Sequence, residues 1–167
     1  MYTDRFSLAD DYILHLDDMM AGIGDPFIQS RYLGFIAISA VTVYELAIKD
    51  IFYDFADRKH SVLGNTTRSK FEQINGRIKI QSLKSEHIGP FGHKYVKRFE
   101  KKLEVAEKES LQNHAGSIKS AYGNIISWRH TFVHSGQAPT TTTYDEVKRA
   151  YQTGRGVLHV LNETMQR

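Results

Sequence analysis

The stretch that decides the fold is residues 29–57, QSRYLGFIAISAVTVYELAIKDIFYDFAD. Its apolar residues recur at spacings of three and four, which is the period of an α-helix. Further apolar side chains fill the remaining faces, and a helix that is apolar on most faces is covered by neighbours on most faces. The pattern predicts a central helix over residues 29–57, roughly 43 Å long at 1.5 Å per residue, around which the rest of the chain packs.

The rest of the sequence also shows the helical period and lacks the strict alternation of strands. We predict five further helices, over residues 8–20, 67–81, 91–108, 115–134 and 144–166. Ser7 is the predicted cap of the first, and Thr143 precedes the last in the manner of a capping box. A chain of 167 residues has the size of one domain. We therefore predict one all-α, up-and-down bundle domain over residues 1–167.

Composition excludes several classes of protein. The chain has no cysteine, which excludes disulfides, thiolate catalysis and cysteine-ligated metals, and its net charge of +3 is compatible with a nucleic-acid partner. Residues 32–48 are almost wholly apolar, but Glu45 interrupts them and Lys49 follows them, so they fall short of the roughly 18 to 20 uncharged residues of a membrane span. Residues 1–5 lack the features of a secretion signal, and a cytoplasmic location is expected.

The residues that point to chemistry lie in residues 128–136, WRHTFVHSG. Arginine grips a phosphate with a planar fork of donors, and histidine exchanges a proton near neutral pH. Arg129 and His134 are therefore a candidate pair for cleaving RNA, which requires a base, an acid and positive charge at the phosphate. Five residues place them about 140° apart on a helix, so a helix end nearby, or a second copy of the chain, is needed to bring such groups together.

The same residues have simpler explanations. An Arg-x4-His string arises by chance, and a histidine near a helix C-terminus is favoured by the helix dipole alone. Glu45 is an acid within an apolar helix, so we expect it to pair with Arg129 or Lys49 or to orient His134, unless it faces a solvated groove. Trp128 is a candidate for stacking on a base, although packing in the core or in a dimer is the simpler role.

The string Arg129-His130-Thr131-Phe132-Val133-His134 resembles the Arg-polar-x3-His signature of HEPN domains. The helix of residues 38–52 is similar to the central helix of that family, and the order of motif, short loop and final helix is the same. The resemblance is greatest to the branch associated with bacterial restriction and phage defence, including the RiboL-PSP-HEPN type. Many members carry asparagine or aspartate after the arginine, where this chain carries His130.

The resemblance implies an all-α domain that forms a homodimer with the two motifs lining one cleft. It implies a metal-independent endoribonuclease with Arg129 and His134 as the catalytic pair, and with His130 orienting the site or contacting the substrate. From their positions on the central helix, Glu45 and Lys49 are further candidates for substrate-binding or orienting residues. RNA is then the substrate, and an antitoxin or a restriction or defence protein is a further expected partner. No cofactor or metal is expected, since no metal-ligand spacing and no P-loop is present.

Two alternatives stay open at the level of sequence. Other members of the HEPN family are inactive and bind nucleotides or proteins, and this chain could be such a non-catalytic module. The third interpretation is an unrelated helical interaction protein in which the motif occurs by chance. RNA cleavage in the presence of a chelator distinguishes the first interpretation from the other two.

Overall fold

The computed structural model of the protein describes residues 1–72, 74, 76–137 and 142–166. In these ranges the regular structure is entirely helical and no strand is formed, which confirms the predicted all-α fold. None of the helices in the same ranges has the length and apolar content that crossing a membrane requires.

The N-terminal part of the chain forms helices α1 (Phe6–Met20), α2 (Pro26–Ser30) and α3 (Leu33–Lys59), after a 3₁₀ turn at Tyr2–Arg5. The prediction that Ser7 caps the first helix is wrong, because the preceding turn runs directly into α1 and Ser7 lies inside it. The central helix begins four residues later than predicted. The reason is that Asp25 accepts a hydrogen bond from Phe27 N (2.8 Å) and starts the separate helix α2.

The predicted helix over residues 67–81 is wrong. The chain instead forms α4 (Ser61–Phe71), α5 (Ile80–Ser82), a π-helical turn (Leu83–Ile88) and a 3₁₀ turn (Gly89–Phe91). Helix α4 starts early because His60 Nδ1 accepts a hydrogen bond from Val62 N (3.2 Å). Between α4 and α5, Gly76 has a φ of +76°, which a helix does not allow. The apolar residues Ile74 and Ile78 are nevertheless buried, as their spacing predicted.

Helices α6 (His93–Gln112), α7 (Ile118–Ser135) and α8 (Tyr144–Met165) complete the fold within a few residues of the predicted bounds. The capping box at Thr143 is confirmed, since Thr143 Oγ1 accepts from Glu146 N (3.2 Å) and Glu146 Oε2 accepts from Thr143 N (2.8 Å). The predicted connection over residues 135–143 lies partly outside the described residues, because 138–141 belong to the undescribed part of the chain.

Helix α3 lies at the centre, with α1, α4, α7 and α8 packed around it. Fourteen of its residues are buried, on most of its faces as predicted. The centre of the core is a group of three tyrosines, in which the Tyr44 ring stacks on Tyr122 (centroids 5.2 Å apart) and on Tyr151 (5.8 Å). Gly154 does not interrupt α8. Its missing side chain leaves room for Tyr44 and for the backbone of α7, so the glycine sets how closely α7 and α8 approach.

Candidate functional site

Helix α7 carries the whole motif and is held at both ends. At its start, Ser117 Oγ accepts from Ser120 N (3.0 Å), and Glu107 of α6 binds Ser117 Oγ and Lys119 N. At its end, Gly136 adopts a left-handed conformation with a φ of +66° and its N–H donates to the helix. The helix therefore ends just after His134, as the sequence indicated, and it continues unbroken between Arg129 and His134.

Arg129 lies on the side of α7 that faces the core. Its side chain is half-buried, and it comes one turn after Ile125 and Ile126, which are buried in the core. The guanidinium points towards Gly76, since Arg129 Nη1 lies 3.8 Å from the position that a Cβ of Gly76 would occupy. Among the described residues Arg129 has no salt-bridge partner. No described acidic side chain neutralises its charge, which suits it to bind an anion.

Glu45 of α3 faces the same point from the other side. Its Oε1 atom also lies 3.8 Å from the Cβ position of Gly76, is buried, and accepts no hydrogen bond from a described residue. Burial raises the pKa of the Glu45 carboxyl, while the backbone of Gly76 and the charges of Arg129 and Lys49 act to lower it. Glu45 is thus an electrostatic neighbour of Arg129, and no salt bridge joins it to Arg129 or to His134 among the described residues.

Lys49 makes a hydrogen bond to another helix. Its Nζ donates to the main-chain oxygen of Glu72 (3.1 Å), which is the residue that ends α4. No salt bridge joins Lys49 to Glu45 in the described ranges, although they are one helical turn apart. Lys49 therefore links the end of α4 to α3, and its charge acts on the Glu45 carboxyl.

The two histidines of the motif form a pair on the surface. His130 and His134 are exposed, and their ring centroids lie 4.3 Å apart with 53° between the ring planes. Four residues separate them, which is about 40° around a helix, whereas Arg129 is about 140° from His134. A single copy of the chain therefore places His130 beside His134, and Arg129 beside Glu45 and Gly76.

A cavity of about 400 Å³ lies between α3, residues 76–80 and α7. Arg129 and His130 line it, together with Lys79, which the sequence analysis did not single out. Lys79 lies fifty residues before Arg129, so only the folded chain shows that they share a cavity. The nearest signal in the sequence was Gly76, whose conformational freedom allows a break within the helix predicted over residues 67–81.

An apolar patch adjoins the motif, and we call Phe35, Phe132 and Val133 the motif-end patch. The rings of Phe35 and Phe132 are 5.4 Å apart, and the absence of a side chain on Gly34 lets Phe132 pack directly against α3. Phe35 is 43% exposed and Val133 is 49% exposed. The motif-end patch therefore presents apolar surface to solvent next to the histidines.

Two further expectations for the site concern the role of Trp128 and the binding of a metal ion. Trp128 is half-buried and packs against the core, which is the simpler of its two predicted roles. Within the described ranges no three His, Cys, Asp or Glu side chains are grouped so that they could hold a metal ion.

The comparison with protein families matches residues 2–167 to the RiboL-PSP-HEPN family. A search of curated proteins and a search of solved structures each found no match. The family match spans nearly the whole chain and agrees with its helical fold. The protein therefore belongs to the RiboL-PSP-HEPN family of HEPN-type domains.

Proposed function

We propose that this protein is a metal-independent endoribonuclease that acts as a homodimer. The observation that carries the proposal is the end of α7, where the exposed His130 and His134 rings lie 4.3 Å apart and His130 lines one cavity with the half-buried Arg129. Imidazole supplies proton transfer near neutral pH, and guanidinium supplies positive charge for a phosphate. These are the groups that transfer within an RNA phosphodiester requires.

The proposed reaction is an internal transesterification. His134 takes the proton of a ribose 2′-hydroxyl, and the 2′-oxygen forms a bond to phosphorus. The bond from phosphorus to the 5′-oxygen breaks, and that oxygen receives a proton from the His134 of the second copy. The products are a 2′,3′-cyclic phosphate and a 5′-hydroxyl, and no water or redox partner is consumed.

In this scheme Arg129 binds the phosphate and stabilises the charge that develops on its oxygens. Glu45 is close enough to act on the guanidinium electrostatically, and no salt bridge between the two is formed. His130 contacts the ring of His134 and lines the neighbouring cavity, so it orients the base or the substrate.

Two features support the proposal that the protein acts as a homodimer. On an unbroken helix Arg129 and His134 of one chain lie on different faces, so a phosphate gripped by one copy is best served by a histidine of the other. The motif-end patch exposes Phe35 and Val133 beside the motif, and such apolar surface is typical of a protein interface. A twofold interface there would bring both motifs to one cleft.

The test is cleavage of RNA by the full chain in the presence of EDTA. We expect wild-type protein to cleave and to leave 2′,3′-cyclic phosphate ends, whereas Arg129→Ala and His134→Ala lose at least about a hundredfold in rate. His15→Ala is the matched control, because His15 is also an exposed helical histidine but lies on α1. Equal activity of His134→Ala and wild type would overturn the proposal, and absence of cleavage by wild type would favour a non-catalytic binding module.

The family extends the proposal to a toxin or phage-defence role, in which a partner protein restrains the nuclease. We expect expression of wild-type protein alone to arrest growth of a bacterial host and expression of His134→Ala to permit it. Equal growth with both proteins would contradict this role without affecting the nuclease itself.

A further inference from the structure

We propose that the α3–α7 cavity is a nucleobase subsite, so that the nuclease takes single-stranded RNA and inserts one unpaired base beside the scissile phosphate. The inference rests on the proposed function, because it assigns the substrate of the same site. It adds a binding pocket and the residues that form it, which the motif alone does not indicate.

The size and lining of the cavity fit a base. Its volume of about 400 Å³ lies within the range of small-molecule pockets. Three apolar side chains, Val41, Ile80 and Ile126, form part of its wall. A flat, largely apolar ring is the kind of group that such a wall accepts.

The charges at the cavity favour an anionic ligand. Lys79, Arg129 and His130 line it, and neither Lys79 nor Arg129 has a salt-bridge partner in the part of the chain that the structure describes. Glu45, whose carboxyl faces Gly76 at the edge of this cavity, has a pKa that burial raises. A partly apolar pocket lined by cationic side chains fits a ligand that joins a ring to a phosphate, which is a nucleotide.

The cavity is preformed and leads to the histidine pair. Tyr122 Oη donates to Ile78 O (2.7 Å), and this buried hydrogen bond ties residues 76–80 to α7. Gly123, Ser127 and His130 line the cavity at helical spacings of four and three, and His134 continues the same strip of α7. A base in the cavity therefore lies directly beside the catalytic end of α7.

A base in a duplex is stacked and paired, so it cannot enter a cavity of this kind without being extruded. Single-stranded RNA meets no such cost, which is why we assign it as the substrate class. A cavity that encloses one base also predicts a preference among the four bases at one position next to the cleaved bond.

The test fills the cavity. A Cβ at Gly123 would meet nothing within 4 Å, so Gly123→Leu has room at its attachment point and projects into the cavity. Asn124→Leu is the matched control, because it adds the same side chain to the next, exposed position, about 100° around the helix and outside the cavity. Urea unfolding of both variants checks that they fold.

Two measurements are made on the full chain. Calorimetric titration with each 5′-mononucleotide is expected to show binding by wild type and Asn124→Leu, and about tenfold weaker binding by Gly123→Leu. Cleavage of a single-stranded RNA is expected to show a KM about tenfold higher for Gly123→Leu with kcat retained, and an RNA with one abasic nucleotide beside the cleaved bond is expected to show the same loss with wild type.

The outcomes separate this inference from the proposed function. Equal nucleotide binding and equal KM for Gly123→Leu and wild type would overturn the subsite, even if His134→Ala abolished cleavage. Loss of nucleotide binding in Gly123→Leu alone would support the subsite, even if no RNA were cleaved by any variant. Equal cleavage of duplex and single-stranded RNA would also overturn the assigned substrate class.

Discussion

Gly154 sets the approach of α8 to the helix that carries the motif, and replacing it with alanine measures how tightly this part of the core is packed. A Cβ at Gly154 would lie 2.7 Å from Tyr44 Oη, 3.1 Å from Tyr122 Cα and 3.2 Å from Tyr122 N. The Tyr44 hydroxyl has no room to swing away, because its ring is stacked between two tyrosines and it donates to Tyr151 O (2.5 Å). Alanine must therefore push α8 away from α7.

The size of the effect follows from two opposing contributions. Overpacking a core costs about 1–3 kcal/mol, while alanine in place of glycine in a helix gains about 1 kcal/mol. We expect the upper part of the first range, because two of the three close contacts are with backbone atoms. Gly154→Ala should therefore lower the free energy of unfolding by about 1–2 kcal/mol.

Gly123→Ala is the matched control, since it makes the same change in an exposed position of α7 where a Cβ meets nothing within 4 Å. It should raise the free energy of unfolding by up to about 1 kcal/mol. The assay is urea unfolding followed by circular dichroism at one fixed protein concentration, so that any self-association is constant. Shifts of the two midpoints in the same direction would refute the proposed packing of α8 against Tyr44 and α7.

Three further predictions concern the surroundings of the site. Gly76→Ala should lower the free energy of unfolding by about 1–2 kcal/mol, measured in urea, because its φ of +76° strains any side chain. Thr143→Ala should cost about 1 kcal/mol in the same assay by removing the cap of α8, and an unchanged midpoint would contradict this. Burial lowers the pKa of His87 from its usual 6.5, so the unfolded state binds more protons and stability should fall as the pH drops below about 6.5. His87→Gln should flatten this pH dependence in thermal unfolding, and an unaltered slope would count against it.

The elements that are predictable from sequence are those with long periodic patterns and explicit caps. The central helix, α7 and α8 follow from spacings of three and four and from Thr143 and Gly136. The predicted helix over 67–81 failed, because the apolar period continues through Gly76 although its backbone is left-handed. The spacing of Ile74 and Ile78 predicted that they are buried, but it did not predict the non-helical backbone conformation of this segment.

The site shows the same division. The Arg129–His134 motif is contiguous, so its residues could be named from the sequence, and the pairing of His130 with His134 follows from their spacing of four. Lys79 could not be identified as a site residue from the sequence, because it is fifty residues away from Arg129 and only the fold brings both to one cavity. Pairing of Glu45 with Lys49 was one of the alternatives that the sequence left open, and the sequence did not indicate the acceptor that Lys49 uses, the main-chain oxygen of Glu72.

The central claim is that two copies of the motif act on one phosphate, and subunit mixing tests it most directly. Wild-type protein is equilibrated with an equal amount of His134→Ala, subunit exchange is verified by co-purification through a tag on one of them, and RNA cleavage is measured at constant total protein. Random pairing of equal amounts makes about one quarter of the dimers wild type in both chains. If each cleft needs both His134 side chains, only these dimers are active, and the cleavage rate should fall to about one quarter of the rate of the same total amount of wild-type protein. A rate of about one half would show that each chain cleaves alone, and would contradict the account.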